Sequence, residues 1–150
     1  MENVVFTNMC LIYKEDKILV QERTKSDWPG ITLPGGHVEK GENFFEAVKR
    51  EILEETGLTL KSAKLCAVEE YTPISGEDRH IIFLYKSNDF SGVVREHIEN
   101  EDRVFWIDRS KLFELNLSED LDVMYEAITN EDISELIYYK EDGIVKKKFV

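Results

Sequence analysis

Histidine, cysteine and proline are scarce in this chain, with three, two and three among 150 residues. No pair of histidines or cysteines recurs at a zinc-type spacing, which argues against a zinc centre. Cys10 and Cys66 lie far apart beside apolar residues, so reduced core thiols are expected rather than a disulfide. The chain also lacks any run of about 18 apolar residues and any basic-then-apolar leader. Neither a membrane span nor a signal peptide is therefore expected, and cytoplasmic residence follows as the default. Basic residues are outnumbered 31 to 19, a net charge of −12. That balance argues against stable nucleic-acid or anionic-membrane binding. It leaves room for a small anionic substrate neutralised locally by metal and a few arginines. Neither an internal repeat nor a low-complexity tract breaks the sequence, and one domain over residues 1–150, able to bury a substantial core, is expected.

What is abundant is glutamate, and residues 36–58, GHVEKGENFFEAVKREILEETGL, put it where core packing alone would not. Asn43 as N-cap, Glu46 three residues on and Gly57 as a stop predict a helix between them. With about 100° per residue, Phe44, Ala47, Val48 and Ile52 form one apolar stripe. Glu51 and Glu55 fall inside that stripe and Glu54 on its border, at i, i+3 and i+4 of one face. Burying unpaired carboxylates costs several kcal/mol, so something cationic is expected to meet this face. A hard divalent cation suits such oxygen donors.

The spacing has a known likeness. Gly36, five residues, Glu42, seven residues and then Arg50-Glu51-Ile52-Leu53-Glu54-Glu55-Thr56-Gly57-Leu58 resembles, at every defined position, the box of the Nudix hydrolases. The runs Thr7-Asn8-Met9-Cys10, Trp28-Pro29-Gly30 and Pro34 to Glu42 look like the MutT-type branch, and the similarity covers about residues 4 to 130. The resemblance implies an α/β fold, an α/β/α sandwich with a mixed β-sheet. It implies cleavage of a nucleoside triphosphate, 8-oxo-dGTP or another oxidised purine nucleotide, into monophosphate and pyrophosphate with Mg²⁺ or Mn²⁺. By the same resemblance the metal donors are the Gly35 carbonyl, Glu51, Glu54, Glu55 and a loop acid, for which Glu101 fits best, with Asp102 and Glu99 behind it. Glu51, Glu54, Arg50 and Glu101 form the expected catalytic set, with the general base open among Glu51, Glu54 and the loop acid. Arg50, off the apolar stripe, is expected in an ion pair that orients the cluster, and Glu42 as a brace for the loop. Two other readings stand beside this one: hydrolysis of a nucleotide sugar, dinucleotide or capped RNA end, and a non-catalytic nucleotide sensor. The full complement of acids in the box weighs against the sensor. Monomer and homodimer are both open.

Elsewhere the pattern predicts strands. Val4 to Tyr13 and Ile18 to Arg23 flank a polar turn, and Thr7 and Asn8 interrupt the first, either facing solvent or touching a ligand. Arg23 is a candidate phosphate contact, Trp28 either stacks on a base or closes the core, and Gly36 allows close backbone approach. These five, Thr7, Asn8, Arg23, Trp28 and Gly36, make the expected substrate-binding set. Strands are also expected at Ala63 to Tyr71, Arg79 to Tyr85 and Val104 to Ile107, and helices at Asp108 to Leu115 and Ser118 to Thr129. His80 is expected to be structural. Leu136 to Tyr139 and Ile144 to Phe149 flank an Asp-Gly turn, which predicts a hairpin, either on a sheet edge or across the pocket.

Overall fold

Strand β1 (Val4–Lys14) is the axis of the computed structural model, which describes residues 1–24 and 27–150. Its side chains alternate. Cys10 and Ile12 enter one apolar cluster and Met9 and Leu11 another, all at most 5% exposed. A strand buried on both faces reads in sequence as the continuous apolar run seen here. β1 lies parallel to β7 (Arg79–Ser87), and β7 antiparallel to β6 (Lys64–Tyr71). On its other edge β1 pairs with β4 (Gly35–His37) through Thr7, Asn8 and Met9, and then with β2 (Lys17–Arg23) at Tyr13 and Lys14. β2 carries β3 (Gly30–Thr32) and β9 (Arg103–Asp108). The C-terminal hairpin of β10 (Glu135–Glu141) and β11 (Ile144–Phe149) completes a mixed nine-stranded sheet, with β10 parallel to β6. A separate ribbon joins β5 (Thr59–Leu60) to β8 (Phe90–Ser91).

Helix α1 (Phe44–Thr56) lays Val48 and Ile52 against Cys10, Ile12 and Leu58 on one face of the sheet. Helix α2 (Leu121–Thr129) lays Leu121, Met124 and Ile128 against Met9, Leu11 and Leu84 on the other. Each such aliphatic side chain contributes roughly 1.5–3 kcal/mol of transfer free energy. The result is the expected α/β/α sandwich around a mixed sheet.

Local chemistry departs from the sequence reading in three places. Asn43 sits at the N-cap of α1, but its side chain makes no cap hydrogen bond, and only its carbonyl is used, by the Ala47 N–H at 3.0 Å. The second helix begins at Leu121, not Ser118, because Ser118 is drawn to the β3 side, where its hydroxyl donates to the Pro29 carbonyl at 2.9 Å and its N–H to Ile31. Residues Arg109–Glu114 form a 3₁₀ helix. The Asp-Gly turn forms as expected, with φ of 52° at Asp142 and 77° at Gly143, the pair of positive values a two-residue hairpin turn needs. The hairpin holds the sheet edge and also reaches inward. Tyr138 Oη and Lys147 Nζ donate to the two oxygens of Asp120 at 2.8 and 2.7 Å.

Candidate active site

Arg50 organises the acidic end of the site. Its Nε and Nη2 donate to the two oxygens of Glu42 at 2.7 and 2.9 Å, and Nη2 also to the His37 carbonyl at 3.0 Å. Its Nη1 donates to Glu51 at 2.9 Å and Glu54 at 3.3 Å. One planar guanidinium thus pins the loop before the helix and sets two glutamates side by side, a geometry that lysine has too few rigid donors to reproduce. The Arg50 hydrogen bonds, and then the Glu39 N–H, hold the Glu42 carboxyl down at about 2. Arg50 itself is pushed upward, chiefly by its bond to Glu42.

The helical wheel ordered these acids as the structure does. Glu55 is 6% exposed and Glu54 side-chain exposure is 51%, with Glu51 between them. Burial raises the Glu55 carboxyl to about 9, opposed by a hydrogen bond from Gln21 Nε2 and reinforced by Glu51 and Glu101. Glu101, from the loop before β9, is also pushed up, first by burial and then by Glu51, Glu54 and Asp102. The expected loop acid lines the same cavity as Glu51 and Glu55.

The turn before the helix is packed against both β1 and Glu51. A Cβ at Gly35 would stand 2.1 Å from the Asn8 carbonyl oxygen, and one at Gly36 2.3–2.6 Å from the carboxyl atoms of Glu51. Cys10 donates to the Pro34 carbonyl and Val38 to that of Phe6, so Met9 and Gly35 form a non-hydrogen-bonded pair. In such a pair the Gly35 carbonyl turns away from β1.

Among the described residues no three His, Cys, Asp or Glu side chains converge on one ion position; the glutamates lean on Arg50, Gln21 and one another. The donor chemistry nonetheless fits a hard divalent cation. It consists of carboxylate oxygens that repel one another, with a backbone carbonyl outside its ladder.

A pH prediction follows from the buried acids. Glu55 and Glu69 are raised from 4.5 to about 9 and about 8, so the folded chain holds protons that the unfolded chain has released between those values. Stability should therefore fall as pH rises through that window. Glu42 and Asp108 are lowered and titrate below it. Metal-free protein should lose roughly 5 °C or more in Tm between pH 5 and 8.5, and Glu55→Gln should flatten the slope. Scanning calorimetry that found a flat or rising Tm would contradict the buried neutral state.

A cavity of about 840 Å³ runs from Glu51, Glu55 and Glu101 along β1 to β6 and the start of α2. Of the expected substrate set, Thr7, Asn8, Arg23, Trp28 and Gly36 all line it. The sequence reading treated Thr7 and Asn8 together, but alternation sends them to opposite faces. Thr7 shares the α2 face with Met9, whereas Asn8 shares the α1 face with Cys10 and accepts the Gly36 N–H on Oδ1 at 3.1 Å. Trp28 packs partly on the core, donates Nε1–H to the Glu119 carbonyl at 2.9 Å and lies under Arg23 at 5.8 Å. In the loop from Thr24 to Gly30, Lys25 and Ser26 lie outside the described residues. Arg50 is absent from the cavity wall and reaches it through Glu51. The sequence reading passed over the far wall. Glu69, Tyr71 and Tyr138 face the cavity there, and His80 stacks on Tyr71 at 4.8 Å and 5°.

A helix with three glutamates on one face behind a double-glycine turn, on a sheet capped by two helices, defines a class of enzyme. The NUDIX domain family profile matches residues 6–128, and the chain belongs to that family of hydrolases. It is 28% identical over 113 residues to 8-oxo-dGDP phosphatase NUDT18 of Danio rerio, covering 72% of this chain and 33% of that protein. It is 49% identical over 59 residues to the ADP-ribose pyrophosphatase of Methanocaldococcus jannaschii, covering 39% and 35%. The chain thus spans about a third of the length of these curated relatives. In structure it resembles the mutator MutT protein of Bacillus halodurans, with a TM-score of 0.77 at 22% identity over 97% of both chains, a likeness of fold. No helix among the described residues is long and apolar enough to cross a membrane.

Proposed function

We propose that residues 1–150 act as one Nudix domain that hydrolyses a nucleoside triphosphate to the monophosphate and pyrophosphate. The favoured substrate is 8-oxo-dGTP or another oxidised purine nucleotide. The observation that carries the reading is one cavity with two unlike ends, the α1 carboxylates with Glu101 at one and aromatic rings beside further acidic acceptors at the other. Such a groove suits a molecule with a polyphosphate at one end and a planar heterocycle at the other. The name of the zebrafish relative points to the same oxidised base.

In this reading Glu51, Glu54, Glu55, Glu101 and the Gly35 carbonyl hold Mg²⁺ or Mn²⁺. The bound metal supplies charge neutralisation for the phosphates and makes water easier to deprotonate. The protein does the rest. Arg50 fixes the spacing of Glu51 and Glu54, and Arg23 faces the same groove as a cation for phosphate oxygens. One of Glu51, Glu54 and the loop acid Glu101 accepts the proton of the attacking water. Gly36 keeps the turn thin enough for Glu51 to lie against it.

The name of the archaeal relative motivates a second reading, cleavage of a nucleoside diphosphate derivative such as ADP-ribose. A panel of 8-oxo-dGTP, dGTP, ADP-ribose and a nucleotide sugar with Mg²⁺ separates the two, with pyrophosphate and orthophosphate quantified. The proposal expects kcat/KM for 8-oxo-dGTP to exceed that of every other member by at least about tenfold. A higher value for ADP-ribose would replace the first reading with the second.

A further inference from the structure

The wall opposite the glutamate helix holds an acid that no role described above uses. Glu69 is only 3% exposed, yet its Oε2 has no hydrogen-bond partner. Thr7 pairs with Ile82 and Ile82 with Glu69, so the three lie in one row across β1, β7 and β6. That row belongs to the α2 face, and Thr7, Ile82 and Glu69 all line the cavity. An unpartnered carboxyl oxygen in a buried site is costly unless a donor arrives with a ligand.

Three donors around it are engaged elsewhere. Tyr138 and Lys147 both donate to Asp120, and the Trp28 indole N–H donates to the Glu119 carbonyl. Burial, and then the charge of Asp120, push the Glu69 carboxyl to about 8, with Lys147 opposing, so without facing donors it stays protonated at neutral pH, and two N–H groups of a ligand would restore the carboxylate. Burial, and then Glu69, raise Tyr71 and Tyr138. This end of the groove is thus rich in acceptors and bounded by flat rings. It calls for a planar ligand whose edge carries N–H donors.

We propose that Glu69 is the specificity-determining residue of this pocket, and that it selects a guanine-type base by accepting hydrogen bonds from the ring N1–H and the 2-amino group. Among the common bases only guanine places two donors side by side against a carboxylate. Adenine and cytosine set an amino group beside a ring acceptor, and uracil and thymine carry one N–H between two carbonyls. The inference rests on the nucleotide reading above and deepens it, because it names the base edge and the residue that reads it.

Product binding tests it without any turnover. Calorimetric titration of dGMP, dIMP and dAMP against the full chain compares a base with the 2-amino group, one without it, and one lacking the N1–H as well. The wild-type protein should bind dGMP at least about tenfold more tightly than dIMP or dAMP. Glu69→Ala, and the nearly isosteric Glu69→Gln, which offers one acceptor in place of two, should bring the three within about threefold of one another. A purely structural role would weaken all three together and keep their ratio. Retention of the guanine preference in both variants, or its absence in the wild type, overturns the proposal. The two readings fail separately. A Glu69-dependent preference without triphosphate hydrolysis sinks only the reaction, and hydrolysis with a preference indifferent to Glu69 sinks only this assignment.

Discussion

Glutamine in place of Glu54 is expected to lower kcat about a thousandfold and leave the fold intact. Glu54 is half-exposed, it accepts a 3.3 Å bond from Arg50, and glutamine keeps its size, so the stability change should stay within about 0.5 kcal/mol. What is lost is a negative charge on the face that also carries Glu51, with Glu101 against it. Glu55→Gln should be equally damaging to turnover, because an amide cannot ionise to meet a bound cation, but it should stabilise the metal-free fold. Glu55 is buried and held near neutral, so an uncharged isostere stabilises it above neutral pH. Steady-state kinetics with Mg²⁺, paired with thermal unfolding, checks both. Turnover within about threefold of wild type in Glu54→Gln would remove that residue from the metal site.

Adding one methyl group to each of two neighbouring glycines should have contrasting outcomes. At Gly35 the new Cβ would meet backbone, 2.1 Å from the Asn8 carbonyl oxygen and 2.8 Å from the Met9 Cα. Backbone of a central strand cannot retreat, so Gly35→Ala should cost on the order of 3 kcal/mol or more by forcing β4 off β1. At Gly36 the obstacle is the far end of the Glu51 side chain. That side chain can swing away, so Gly36→Ala should fold with about 1 kcal/mol of loss yet drop kcat by about a hundredfold or more, because Glu51 leaves its place beside Arg50. Equal unfolding midpoints for the two variants, or normal turnover in Gly36→Ala, would show that the turn does not position Glu51.

The helix, its glutamate face and the terminal hairpin were legible in sequence because each breaks or obeys a local period. Glu51 and Glu55 fall on an apolar stripe, and Asp142-Gly143 supplies two positive φ angles where a hairpin needs them. The start of α2 was not legible, since Ser118 answers to Pro29 and Ile31, which only the fold brings near. Thr7 and Asn8 looked like one polar interruption, although strand alternation separates them by definition. Glu69 is the instructive omission. A period of two puts it in the row of Ala67 and Tyr71, an acid on a core-facing row, the same anomaly that made the helix readable. In a helix the misplaced glutamates came three together, whereas in the strand the neighbouring Glu70 disguised the one that points inward. The cavity's far wall also draws on β6, β7, α2 and the hairpin, and no spacing within one segment encodes that meeting.

In the proposed reaction the carboxylate face and the far wall of one cavity hold the two ends of a nucleoside triphosphate so that it is cut between its α- and β-phosphates. The measurement that tests it most directly is the identity of the products from 8-oxo-dGTP with Mg²⁺. The account predicts 8-oxo-dGMP and pyrophosphate in equal amounts, with no turnover in the presence of a chelator. Orthophosphate and 8-oxo-dGDP, or no reaction at any concentration of Mg²⁺ or Mn²⁺, would contradict it.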